Sequence, residues 1–365
     1  MDHRGSLEEK RTLKEEISEL ITIFAALTTD TPMKRILAAV AAALLTNVFV
    51  CLAQAPVEML YFEARAGFGL NFEADGTPHA GPSVDYLNFH AAGHLSPTVS
   101  YRLRQRFTKP LYSPDYPLNA TDFLWLDWAP SDRWHFSAGK LPVLLGGFEW
   151  DTAPIDVYYW SGFCNHVAEV YALGLQAFWS LSKYHTITFQ TTQSPWSKGT
   201  WDCFAYNLGW YGQFAPWWKT IWTVNYMDDV RGGGMQYISL GNRFQAGKWA
   251  LELDWMDREA FHRSQKSFSD CSIIGRLVYD AEKWNIFLKS GYDFNDGRNA
   301  DAAGIPFDYN YPSGMEYVYA GGGAEFFPLG NRNLRLHFFL MTDNISKSLC
   351  MQTGLTWRFH LIDKQ

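Results

Sequence analysis

The sequence predicts an all-β fold, an antiparallel up-and-down transmembrane barrel of about sixteen strands behind an N-terminal signal peptide. Three observations carry that prediction. In the segment Glu58–Ala74, Leu60, Phe62, Ala64, Ala66, Phe68, Leu70 and Phe72 alternate with Tyr61, Glu63, Arg65, Gly67, Gly69, Asn71 and Glu73. Side chains alternate faces along a strand, so this is one apolar surface backed by a polar one. A typical strand in a globular protein has ~5–6 residues, whereas one that crosses a bilayer needs ~9–11. The second observation is that short and long connections between such segments take turns along the chain. The third is composition: aromatics are 17% and charged residues 19%, yet beyond residue 53 no apolar run is long enough for a spanning helix.

Taken in order, residues 1–32 come first. Glu8, Glu9, Lys10, Arg11, Lys14, Glu15 and Glu16 with Leu13, Ile17 and Leu20 would make a charged amphipathic helix, read here as an upstream extension outside the fold. Met33, Lys34 and Arg35 then open an apolar run from Ile36 to Leu52 that ends in small residues, the pattern of a signal peptide over 33–53. Cleavage is expected after Ala53, because Pro56 disfavours a cut after Ala55. Two other readings stay open: a lipoprotein cysteine at Cys51, and retention of the run as an anchor.

The barrel occupies 54–365. Alternation and turn chemistry place strands at 58–74, 84–95, 98–108, 121–129, 133–141, 169–180, 185–194 and 204–214, and then at 217–228, 234–245, 248–257, 271–281, 284–294, 315–327, 333–343 and 348–361. Tight connections fall at Ser96-Pro97, Pro130-Ser131-Asp132, Ser182-Lys183-Tyr184, Ala215-Pro216, Ala246-Gly247, Ala281-Glu282-Lys283 and Leu329-Gly330-Asn331. An even-stranded membrane barrel puts its tight turns and both termini in the periplasm and its long loops outside. Trp217, Trp249, Trp284, Trp357, Tyr292 and Tyr226 near strand ends suit the headgroup level.

Strand parity also assigns the lumen. Arg102, Arg104 and Arg106 fall on one face of the third strand and are expected to point inward as a column, because charges facing lipid are costly near mid-bilayer. The same parity puts Arg65, Arg133, Lys219, Arg243, Arg276, Lys289, Arg335 and Arg358 inside, against Glu63, Glu73, Asp127, Glu252, Asp254, Asp293 and Glu325. The result is a modestly basic lumen in an acidic chain, read either as an anion path or as a wall of mutually neutralised pairs. With the leader removed the net charge is about −6, which gives no case for nucleic acid.

The connection 141–168 is rich in apolar and aromatic residues, unlike a loop built to face water. It is expected to fold into the barrel and narrow a lumen that sixteen strands otherwise leave open. Glu149, Asp151 and Asp156 would then face the arginines across the constriction and set up a transverse field. An external lid or a subunit contact is the other reading of this loop.

At these residues the chain resembles a known family. Ala120–Leu124, Trp134–Lys140, Gly146–Asp151 and Pro154–Tyr159 look like the phosphate-selective porin O/P family, particularly its Bacteroidetes-type members. The resemblance implies a sixteen-stranded, trimeric porin in the outer membrane of a Gram-negative bacterium; in the phosphate-selective members arginines and a lysine cluster conduct anions, and here Arg102, Arg104 and Arg106 would be such a ladder. Its partners would be small hydrophilic solutes or anions, with outer-membrane lipid and lipopolysaccharide around the barrel. The functional expectation is passive diffusion through a water-filled channel, with no reaction and no cofactor. The alternative is a plugged or structural barrel acting as receptor or adhesin.

Signals for chemistry are thin. The run Asp293–Gly297 approaches a calcium loop, but its glycine comes one position early and no closing glutamate follows. Histidines 90, 94, 135, 185, 262, 337 and 360 lie on separate strands or loops. Cys164, Cys203, Cys271 and Cys350 fall in loops or at strand ends on one side of the barrel. A Cys164–Cys203 bridge is one reading, and four free thiols the other.

Overall fold

Period-two alternation becomes strand in sixteen places: β1 (Met59–Phe72), β2 (Pro78–Ser96), β3 (Val99–Arg106), β4 (Thr121–Ser131), β5 (Trp134–Pro142), β6 (Tyr171–Ser182), β7 (His185–Gln193), β8 (Phe204–Ala215), β9 (Trp218–Asp228), β10 (Gly234–Ala246), β11 (Trp249–Ala260), β12 (Asp270–Asp280), β13 (Trp284–Asn295), β14 (Met315–Phe326), β15 (Leu334–Asp343) and β16 (Leu349–Asp363). The computed structural model describes residues 57–364 apart from 111–112, 114–117, 168–169, 198, 261–269 and 298–313. The expected extension at 1–32 and signal peptide at 33–53 lie outside the described residues.

Each strand pairs antiparallel with its neighbours in sequence, and β1 closes on β16 with Glu63 opposite Arg358 and Gly67 opposite Gly354. Closure leaves no open edge, the condition for a sheet in lipid. The connections 97–98, 132–133, 183–184, 216–217, 247–248, 281–283 and 327–333 share one rim with both ends of the barrel chain, and the opposite strand ends form the other. Outward side chains are apolar and open, as at Leu175 and Leu288, each 60% exposed. Trp217, Trp249 and Trp284 ring the outside at the short-turn rim, each about half exposed.

Four local departures from the expected strand pattern matter below. β2 begins at Pro78, earlier than 84, because Pro78–Pro82 pairs with Phe72–Phe68 although its proline and glycine content reads as a turn. Arg65 then pairs with Tyr86 and Ala66 with Val84, so Asp85 is an extra, bulged residue. In the same way Arg104 pairs with Phe123 and Gln105 with Thr121, which leaves Asp122 bulged in β4. A bulge breaks the period and re-aims a side chain. Finally, Arg133 stands in the turn before β5, exposed at the rim, and does not line the wall.

The core lies inside the barrel and is made by the loop between β5 and β6. Val143, Leu145, Phe163 and Cys164 pack against Met227, Met235, Tyr237, Met256 and Ile274 of β9–β12. Tyr159 packs against Val278, Phe287, Tyr317, Tyr319 and Phe339 of β12–β15.

Candidate functional site

The β5–β6 connection, described at 143–167 and at 170, lies against the inner wall, and two short helices form within it, α1 (Phe148–Asp151) and α2 (Gly162–His166). Its first leg runs along the wall. Gln190 Oε1 accepts from the Leu144 amide at 2.8 Å, Asn225 Nδ2 donates to Leu144 O at 2.5 Å, and Thr223 Oγ1 donates to Leu145 O at 2.8 Å. Gly146 and Gly147 adopt φ of +79° and +83°, and a Cβ at either would meet Thr223 or Met256 side-chain atoms at 2.6 Å or less. Only glycine meets both demands, the left-handed backbone and the close approach to the wall. The first amides of α1, at Phe148 and Glu149, donate to the two carboxylate oxygens of wall residue Asp254 at 2.8 and 2.9 Å. That carboxylate satisfies orphan amides a short helix cannot pair itself.

Cations on three strands hold the loop tip. Arg65 donates to the carbonyls of Ile155 and Val157 at 2.9 and 2.7 Å, and to bulged Asp85 at 3.0 Å. Arg358 binds both Asp156 oxygens at 3.0 and 3.1 Å, and Arg335 pairs with Asp156 and with Glu325. On the return leg Lys289 Nζ lies 2.7 Å from Glu149 and 2.5 Å from Tyr159 O, with both charged side chains almost fully buried. Tyr158 and Tyr159 have hydroxyls pushed well up by burial, so both stay protonated donors, to Glu325 Oε1 and Lys289 O.

This geometry corrects the expected transverse field. Glu149 and Asp156 do not face Arg102, Arg104 and Arg106 across water; they dock directly on Lys289, Arg335 and Arg358. The reason is electrostatic: a loop charge pressed against a low-dielectric wall must be paired. Asp151 alone keeps an open face. Its surroundings push the carboxyl above the ordinary range by desolvation, while Tyr211 Oη at 3.4 Å acts the other way.

Arg102, Arg104 and Arg106 share one face of β3, but their surroundings differ. Arg104 and Arg106 both clasp Asp122, at 3.0 and 2.8 Å, and Asp122 is fully buried. Arg104 also donates to the Tyr171 hydroxyl. Arg102 is exposed, with its guanidinium 5.9 Å from the Trp125 ring centroid and no ion pair among the described residues. Across the lumen Lys219 is likewise exposed, beside Arg243, while Arg243 and Arg276 share Glu252. The bulged acids Asp85 and Asp122 and the loop acids therefore cancel most of the basic excess that parity predicted. What stays open to water is a small set of cations toward the short-turn rim.

The sequence also left a disulfide open between Cys164 and Cys203. All four described cysteines are free. The inward fold carries Cys164 into the lumen core, where burial pushes its thiol well above the ordinary range, and Cys203 stays just ahead of β8.

Parity could not find Asp122 or Asp85, because each sits where a bulge breaks the period. The docking wall did leave a signal. Inward positions of β9–β15 carry Met227, Met235, Tyr237, Met256, Ile274, Phe287, Tyr319 and Phe339, apolar residues that a water-filled wall has no use for.

No protein-family model and no curated protein matches the chain. Solved structures do. An anion-selective porin from Comamonas acidovorans superposes with a TM-score of 0.60 at 9% identity, covering 84% of this chain and all of that one. The outer membrane channel DcaP of Acinetobacter baumannii gives 0.58 at 12% identity, covering 84% and 97%. The trimer form of OmpT, an outer membrane protein of Vibrio cholerae, gives 0.53 at 10% identity, covering 84% and 100%. At these identities the likeness concerns the fold, a closed sixteen-stranded barrel.

Proposed function

We propose that the protein is a porin of the Gram-negative outer membrane, a water-filled channel for passive diffusion of small hydrophilic solutes and ions with a modest preference for anions. The observation that carries this reading is the inward loop, bound along the β7–β16 wall and at β1 through Arg65. It narrows a sixteen-stranded lumen from one side. Polar and charged groups, Arg102, Asp127 and Ser137 among them, line the opposite wall. The anion preference rests on Arg102 and Lys219, the exposed lumen cations without an ion pair among the described residues. A low-dielectric wall focuses such charges, and salt screens them.

The short-turn rim faces the periplasm and the long loops face outside. Subunits associate as a homotrimer, a reading supported by the trimeric form of one structural neighbour. Kinship with the phosphate-selective O/P porins rests on segments that build the loop and its entry, Gly146–Asp151 and Pro154–Tyr159. Liposome swelling tests the function. Vesicles carrying the barrel should swell in neutral monosaccharides and progressively less in larger sugars. Absence of swelling with every solute would leave the plugged receptor or adhesin as the better reading.

A further inference from the structure

The outer wall is not uniformly convex. A furrow of about 740 Å3 crosses its lipid-facing side from β4 to β9. Two adjacent hydrogen-bonded rows form it, one from Leu126 through Ala138 and Leu175, the other from Trp128 through Phe136 and Ala177. Its floor is low where Ala138, Ala177 and Thr191 are small, and Leu175, Phe189 and Leu208 stand up around them, each 46–60% exposed. Five inter-strand steps of ~4.8 Å make it about 24 Å long. Strands tilted ~45° turn that into a climb of about 17 Å, roughly one leaflet of a ~30 Å hydrocarbon core.

In a bilayer such a furrow cannot stay empty. Lining atoms without partners lose their dispersion contacts, and water gains nothing from an apolar trough. A methylene occupies about as much space as a water molecule, ~30 Å3, so the furrow holds ~25 of them, more than one long acyl chain. The foot of the furrow carries the polar half of the argument. Trp128, Phe136, Trp134 and Trp179 stack there, with centroids 5.5–5.8 Å apart, a ladder suited to the headgroup level. Just beyond it lie the turns 132–133 and 183–184, the first held to β6 by the Ser180 amide donating to Arg133 O at 2.8 Å. They expose Arg133 and Lys183, against one acid, Asp132.

We propose that this furrow is a phospholipid site: one anionic phospholipid of the periplasmic leaflet, its phosphate on Arg133 and Lys183 and an acyl chain along Ala138 and Ala177. The proposal rests on the outer-membrane reading for the leaflet it names.

Native mass spectrometry of the detergent-extracted barrel tests it, after reconstitution in equal parts phosphatidylglycerol and phosphatidylethanolamine. The wild type should retain one phosphatidylglycerol, favoured about tenfold over phosphatidylethanolamine. Ala177→Trp, which fills the floor from the lipid side, should cut retention at least tenfold. The double variant R133Q/K183Q changes only exposed turns, and should keep a lipid while losing the headgroup preference. Unchanged retention in Ala177→Trp would overturn the proposal. So would lipopolysaccharide in place of phosphatidylglycerol, or cross-linking between copies through Ala138→Cys, which would make the furrow a subunit contact. Conductance is read separately: a barrel that retains phosphatidylglycerol yet passes no current overturns the channel reading and leaves the furrow standing.

Discussion

Glu149 is the residue whose loss should most directly release the loop. Its carboxylate binds Lys289 Nζ at 2.7 Å and accepts from the Ser161 amide at 2.8 Å, and the side chains of the pair are 5% and 6% exposed. Glu149→Ala leaves the ammonium buried with the Tyr159 carbonyl at 2.5 Å and the Tyr159 ring at 4.7 Å. Stranding one partner of a buried pair costs ~3–5 kcal/mol, and each ~1.4 kcal/mol is a factor of ten. The undocked loop should therefore become at least about 100-fold more populated. Undocking exposes Cys164, otherwise buried with a thiol held protonated, so its alkylation rate, read by peptide mass spectrometry, reports that population. Removing Glu149 also withdraws a charge that raises this thiol, whereas Lys289 lowers it. Lys289→Met is the control: it strands Glu149 instead and moves the intrinsic reactivity the other way. Both single variants should label faster than wild type, and the double variant Glu149→Ala/Lys289→Met should return most of the way. If neither single variant speeds labelling, the pair does not clamp the loop and the reasoning fails.

Further expectations concern the wall and the topology. Arg102→Gln should lower anion preference in reversal-potential measurements with little effect on folding. Arg104→Gln should leave selectivity nearly unchanged and cost stability, because Arg104 is buried on Asp122 and Tyr171; equal selectivity changes in the two variants would restore the simple ladder. In intact cells, a membrane-impermeant thiol reagent should label Asp202→Cys and not Lys248→Cys, and the reverse would invert the orientation. Sequencing of the mature protein should begin within a few residues of Gln54, and recovery of residues 1–32 would refute the start at Met33.

Most of the barrel was legible because lipid imposes period two on every strand, and a one-residue slip would put charge into hydrocarbon. Sixteen strands and their antiparallel order follow from that pattern. Pairings inside the lumen were not legible. Asp122 has outward parity and reaches Arg104 and Arg106 only through a bulge, which depends on how two strands are paired. Likewise Asp156 meets Arg335 and Arg358 across some 180 and 200 residues of chain, a proximity that the fold of the β5–β6 loop and the closed barrel create together. Arg133 fell one residue outside its strand, where parity no longer applies.

Single-channel recording in a planar bilayer, with a salt gradient across it, tests the central claim most directly. The account predicts discrete current steps that grow almost linearly with salt, and a reversal potential modestly on the anion side that shrinks as ionic strength rises. A correctly folded barrel that inserts and yields no steps, or one strongly selective for cations, would contradict it.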